Sequence, residues 1–155
     1  MNATSLKRLQ ALSRSGHSPD LPSDRYEWGL HPAQQTVFES PARFKVCVAG
    51  RRFGKTRLAT KMALHYALLE KNERGYSLEG MDVHFISPTY AQAEETAMPY
   101  LLEDAQDFIA KVNRQKGYIL LHNNRKIWIK SSDRPDNLRG RKSAFVVLDE
   151  LKDMK

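Results

Sequence analysis

Residues Val46–Thr56 read Val-Cys-Val-Ala-Gly-Arg-Arg-Phe-Gly-Lys-Thr, an apolar run that stops at a glycine-containing loop and passes straight into a helical pattern. Strand, loop, Lys-Thr, helix is the order of a phosphate-binding P-loop. It constrains the fold strongly, because a strand must deliver the loop and a helix N-terminus must receive it. Gly50 and Gly54 permit the turn that aims successive backbone N–H groups at one anion. The helix N-terminus adds its partial positive charge. Lys55 is placed to reach the β- and γ-phosphates, and Thr56 to set its hydroxyl on Mg²⁺. Ala49, Gly50, Arg51, Arg52, Phe53, Gly54, Lys55 and Thr56 are therefore the expected nucleotide-binding residues. The spacing departs from the usual one at Ala49, which stands where the first glycine belongs. Alanine is tolerated there unless a positive φ is required.

The pattern around the loop predicts alternating strands and helices. His31-Pro32 opens a helix running to about Ser40, with proline at its first position. Arg43–Ala49 reads as the first strand, and Gly54–Lys71 as a helix with Leu58, Met62, Tyr66 and Leu69 on one face. Val83–Ser87 is a second strand. Tyr90–Arg114 is helical in period but broken just before Pro99. Tyr118–Leu121 and Lys126–Lys130 flank Asn123-Asn124 as a hairpin, and Ala144–Leu148 is a final buried strand. This alternation predicts an α/β fold with a mainly parallel sheet flanked by helices. Met1–Asp24 is polar and basic and reads as a flexible arm, so the folded part begins at residue 25.

A second constellation completes the chemistry. Phe145-Val146-Val147-Leu148-Asp149-Glu150 is a strand that ends in two carboxylates, some 90 residues after the loop. Asp149 is the expected Mg²⁺ partner opposite Thr56, and Glu150 the group that orients and deprotonates an attacking water. Gln34 has an amide that donates and accepts together, which suits an adenine edge. One of Arg51 and Arg52 is a candidate for stabilising charge on the transferred phosphoryl group, or both are plain surface charges. Arg139 and Arg141 could reach a neighbouring subunit's nucleotide or DNA. The histidines show no metal-ligand spacing, and Cys47 reads as a small buried core residue.

Charge and hydropathy narrow the function class. Ser40–Leu69 carries seven Lys/Arg and no acid, and Phe108–Ser132 carries six and no acid, within a net charge of +7. Such stretches favour polyanions, nucleotide or nucleic acid, or form a solvated basic surface. No apolar run approaches the length of a membrane span, and no secretory signal opens the chain, so a cytoplasmic protein is expected.

Leu30–Gln34, Ala49–Thr56, Ser87-Pro88-Thr89-Tyr90, Asn137-Leu138-Arg139-Gly140 and Phe145–Glu150, in that order, resemble the ATPase domain of the large terminase subunit of tailed bacteriophages. The resemblance covers Tyr26 to Lys155. It implies a RecA-like P-loop NTPase fold with ATP and Mg²⁺ as cofactors. It implies a DNA-packaging motor that drives double-stranded DNA into a prohead. The implied partners are double-stranded DNA, the portal, a small terminase subunit and further copies in a homo-oligomeric ring, in the cytoplasm of an infected or lysogenic bacterial host. The family pattern continues with a coupling motif and a nuclease domain, neither of which follows Glu150 here. Residues 25–155 are thus expected to be the N-terminal part of an ATPase domain, incomplete at its C-terminus and marginally stable. In the family's sheet the coupling strand lies between the P-loop strand and the Asp149-Glu150 strand, which implies a gap there. A superfamily 2 helicase-like ATPase shares the P-loop, Gln34 and the paired acids. An inactive truncated product that binds nucleotide or DNA is the other alternative.

Overall fold

The structure, a computed structural model, describes residues 29–72, 74–133 and 142–154. The N-terminal arm, Tyr26, Trp28, the segment holding Asn137–Gly140 and Arg141, and Lys155 lie outside the described residues.

Helix α1 (Pro32–Glu39) starts where its sequence signals stand. Pro32 occupies the first turn, and the His31 side chain accepts from the Gln34 N–H as the cap. Proline's preset φ and missing N–H suit that position. Helix α2 (Lys55–Leu68) follows the P-loop, with Gly54 as its N-cap in the left-handed conformation. Leu58 and Met62 pack with Leu30, Val37 and Phe38, while Ala63, Leu64 and Ala67 face the sheet.

Strands β1 (Asp82–Ser87), β2 (Ile109–Asn113), β3 (Tyr118–Leu121), β4 (Lys126–Ser131) and β5 (Ser143–Leu148) form one sheet in the order β2-β3-β4-β1-β5. β1 pairs in parallel with β4 and with β5. β2 with β3, and β3 with β4, are antiparallel. The sheet is therefore parallel at its centre, as expected, and extended on one flank by an antiparallel unit. Helices α3 (Tyr90–Thr96) and α4 (Met98–Asp104) join α2 in covering Val83, Phe85, Ile119, Leu121, Ile127, Ile129 and Val147, which form the main core. None of the described helices is long and apolar enough to cross a membrane.

Polar contacts orient α2 at both ends. Asn123 and Arg125, in and after the β3–β4 turn, donate to the carbonyls of Ala67, Tyr66 and Leu69 at the helix C-terminus. These carbonyls lack helical partners, and a cation there is favoured by the helix dipole. Nearer the P-loop, Asp104 accepts from Arg57 and from the buried Lys61, each at 3.0 Å. A buried lysine requires such a partner, and the pairing ties the start of α2 to α4.

Four expectations are corrected. The helix predicted over Tyr90–Arg114 breaks at Ala97, before Pro99, but its last part is not helical: Ile109–Asn113 is β2. Phe108, Ile109 and Val112 fit a helical face, yet pairing with β3 outweighs that local period, with an irregularity between Ile109 and Lys111. Arg43–Ala49 forms no strand. Phe44, Val46 and Val48 are 81%, 86% and 94% exposed, and Cys47 is only half-buried. A strand exists through its ladder, and among the described residues no backbone hydrogen bond joins this segment to β5. A cavity of about 400 Å³, lined by Arg43 and Lys45 and by Ser143, Ala144 and Phe145, lies there instead. For the same reason β5 is an edge strand rather than a buried one, with Val147 buried and Val146 and Leu148 about half exposed.

His65 makes the fold sensitive to acid. Its ring packs against Phe38 and Tyr66 at 4.9 and 5.3 Å. Burial, helped by the charge of Lys45, lowers its pKa from 6.5 to about 4. The folded chain keeps the ring neutral where the unfolded chain takes up a proton. Its contribution is complete above pH 6.5 and is lost as pH falls toward 4. Between those limits wild-type urea stability should fall by up to about 3 kcal/mol more than that of His65→Phe. Equal losses in the two proteins would remove His65 as the cause.

Candidate functional site

The P-loop runs from Ala49 to Gly54 and closes on itself. Its glycines do not share the turning equally. Gly54 takes φ +82°, but Gly50 does not enter the positive region; Arg52 does, at φ +65°. A left-handed arginine is uncommon and strained, and such strain collects at functional turns. The Lys55 ammonium lies in the loop's mouth, donating to the carbonyls of Ala49 at 2.9 Å and Gly50 at 3.2 Å. Lys55 therefore stands where a phosphate group would take over its hydrogen bonds. Arg51 and Arg52 are exposed. Neither guanidinium is paired among the described residues, so both are free to turn toward a bound anion.

The loop and the paired acids, 93 residues apart, meet directly: the Thr56 hydroxyl donates to Asp149 Oδ2 at 3.0 Å. Parallel pairing makes this possible. β5 runs beside β1 and ends level with it, and the Asp149 N–H extends the ladder to the Ile86 carbonyl at 2.9 Å. Burial raises the Asp149 pKa, and the neighbouring Glu150 charge adds to the rise. The Thr56 hydrogen bond and the Lys55 charge oppose both. Glu150 is exposed and left-handed, with φ +55° and ψ +45°, at the turn into a short 3₁₀ helix over Leu151–Asp153.

Among the described residues there is no group of three or more His, Cys, Asp or Glu able to hold a metal. The Thr56 hydroxyl and Asp149 carboxylate are both hard oxygen donors, and Mg²⁺ favours one or two such ligands plus waters and phosphate oxygens. The pair fits that ion.

Gln34, expected at an adenine edge, is 5% exposed and lies beneath the loop. Its Nε2 donates to the carbonyls of Phe53 and Gly54, at 3.0 and 3.2 Å. His31 was not singled out from the sequence as a site residue, yet its Nε2 lies 3.1 Å from the same Phe53 carbonyl. The readable signal was the spacing of His31, Pro32 and Gln34, which matches a helix cap and its third helical residue. Arg139 and Arg141 lie outside the described residues.

Comparison with known proteins adds an independent line. The family profile described as terminase large subunit, T4-like-virus type, N-terminal, matches residues 46–155. The large terminase subunits of Thermus phage G20c and Thermus virus P23-45 are each 28% identical over 153 residues. Each alignment covers 83% of this chain and 30% of the relative, so the chain spans about a third of their length. The solved ATPase domain of the Thermus phage P74-26 large terminase superposes with a TM-score of 0.61 at 28% identity, covering 81% of this chain and 55% of that one. A single-residue mutant of the same domain gives 0.58 at 28% identity, over 77% and 53%.

Proposed function

The chain belongs to the large terminase subunit family, T4-like-virus type, by a match over residues 46–155, and we propose that it carries the ATP-binding and ATP-hydrolysing site of a viral DNA-packaging motor. The observation that carries this reading is the 3.0 Å hydrogen bond from Thr56 to Asp149, which brings the loop and the strand-end acids together. The resemblance of the solved ATPase domain supports it. The family match favours the packaging motor over a helicase-type ATPase.

In this reading the loop amides from Ala49 to Thr56 hold the β- and γ-phosphates, and Lys55 leaves the Ala49 and Gly50 carbonyls to neutralise them. Thr56 and Asp149 would hold Mg²⁺, which when bound would neutralise charge on the phosphate oxygens. Glu150 aligns a water with the γ-phosphorus and takes its proton as the new P–O bond forms. Arg51 or Arg52 stabilises charge on the transferred γ-phosphoryl group as its bond to the β-phosphate oxygen breaks and ADP leaves. The proposed partners are double-stranded DNA, the portal and prohead, a small terminase subunit and further copies in a ring, in the host cytoplasm.

Asp149→Asn tests the metal assignment. The variant should lose Mg²⁺-dependent ATP binding by about 2–4 kcal/mol, measured by titration calorimetry. It should also be more stable than wild type without ligand. The raised pKa of Asp149 means that its ionisation costs the fold stability: the cost is absent below the ordinary carboxylate pKa and appears as pH rises through the raised one. The stabilisation should therefore show at neutral pH and vanish in acid. Unchanged Mg²⁺-ATP binding would exclude Asp149 from the metal site.

A further inference from the structure

The P-loop is fastened to the first turn of α1 by a closed set of contacts. Gln34 Nε2 donates to the carbonyls of Phe53 (3.0 Å) and Gly54 (3.2 Å). Gln34 Oε1 accepts from the His31 N–H at 3.2 Å, and His31 Nδ1 accepts from the Gln34 N–H at 3.4 Å. With Nδ1 accepting, the ring proton resides on Nε2, which donates to the Phe53 carbonyl at 3.1 Å. The His31 and Phe53 rings meet edge to face at 4.9 Å. Both Nε2 hydrogens of Gln34 are thus engaged, and its oxygen is bound from within the helix cap.

These contacts govern which way the loop's N–H groups point. In a trans peptide the C=O and N–H of one unit are antiparallel. Holding the Phe53 carbonyl toward α1 turns the Gly54 N–H away from α1. Holding the Gly54 carbonyl does the same to the Lys55 N–H, while that carbonyl also accepts the first helical bond from Leu58 at 2.9 Å. Successive N–H groups fixed on one side of a loop are what binds an anion. The approach is close: a Cβ on Gly54 would lie 2.6 Å from Gln34 Nε2 and push that amide aside, while the φ of +82° itself favours glycine.

We infer that Gln34 and His31 are positioning residues for the triphosphate, acting through the Phe53–Gly54 and Gly54–Lys55 peptides rather than on the base. This rests on the ATP-site reading above and assigns Gln34 a role independent of adenine. An adenine reader and a loop brace differ in one measurable respect. Loss of a reader weakens ATP alone, whereas loss of the brace weakens every ligand that carries the phosphates.

The test measures Mg²⁺-dependent binding of ATP, GTP and inorganic tripolyphosphate to the full chain and to Gln34→Ala and His31→Ser. Gln34→Ala should weaken all three by the same factor, about 10- to 100-fold. His31→Ser keeps a helix-capping oxygen but loses the bond to Phe53. It should leave the thermal midpoint of the ligand-free chain unchanged and weaken all three ligands by a smaller common factor, which separates loop positioning from folding. Selective loss of ATP in Gln34→Ala, with GTP and tripolyphosphate unaffected, would overturn the inference in favour of base recognition. Unchanged binding of all three in both folded variants would overturn it outright. If the wild-type chain binds none of the three, the ATP-site reading fails first, and the brace with it.

Discussion

Lys55→Ala should lose nucleotide binding, whereas Glu150→Gln should keep it and lose turnover. Lys55 now holds the carbonyls of Ala49 and Gly50, so its charge already sits in the loop's mouth. Exchanging those neutral acceptors for phosphate oxygens yields charge-assisted hydrogen bonds, each worth about 1.5–3 kcal/mol. Alanine forfeits both, and the dissociation constant for Mg²⁺-ATP should rise by about 10²- to 10⁴-fold. Glu150 lies beyond the end of β5, exposed and without a part in holding the loop. Glutamine tolerates the left-handed backbone there as well as glutamate does, and it preserves shape while removing the base. ATP turnover should fall by about 10²- to 10⁴-fold with binding intact. Wild-type turnover in Glu150→Gln would show that another group activates the water.

Phe85→Ala should cost about 3–5 kcal/mol, enough to unfold much of the population of a marginal domain. Phe85 is fully buried at the centre of β1, between β4 and β5 and beneath the helices. Truncation leaves a cavity that its close-packed neighbours fill only in part. Val46→Ala and Val48→Ala make the telling contrast. A sequence reader would rank these valines with Phe85 as core strand residues, yet their exposure places them in solvent. Each should change the unfolding free energy measured in urea by no more than about 0.5 kcal/mol. A cost near that of Phe85→Ala would mean that the segment is covered in solution, and sedimentation would then show whether self-association covers it. Phe44, Val46, Val48, Val146 and Leu148 all expose apolar surface, a composition that favours such association.

The elements legible in advance are those whose signals are local. Proline after a capping residue began α1 at Pro32, glycine before Lys-Thr began α2, and paired asparagines closed the β3–β4 turn with Asn124 at φ +65°. Each works through the backbone of a few adjacent residues. The errors came where the deciding partner is remote. Ile109–Asn113 has a helical period but finds β3 across a short turn. Arg43–Ala49 has a strand's composition but finds no ladder among the described residues. The site divides in the same way. Lys55, Thr56, Asp149 and Glu150 stand out by residue type and order, and the structure brings Thr56 and Asp149 into contact. The brace from His31 and Gln34 to Phe53 and Gly54 was not, because nothing local says which carbonyl an amide will reach 19 or 20 residues away.

Alone, the sequence determined which side chains the proposed chemistry would draw on: a Gly-Lys-Thr loop leading into a helix, and an apolar strand ending in two acids. Those properties reside in single side chains and in short backbone turns. Only the tertiary structure decided that Thr56 and Asp149 meet at 3.0 Å, that α1 holds the loop from beneath, and that the apolar run before the loop stays outside the sheet. Hydrogen-bond ladders and buried contacts need two partners, and the second partner is supplied by the fold.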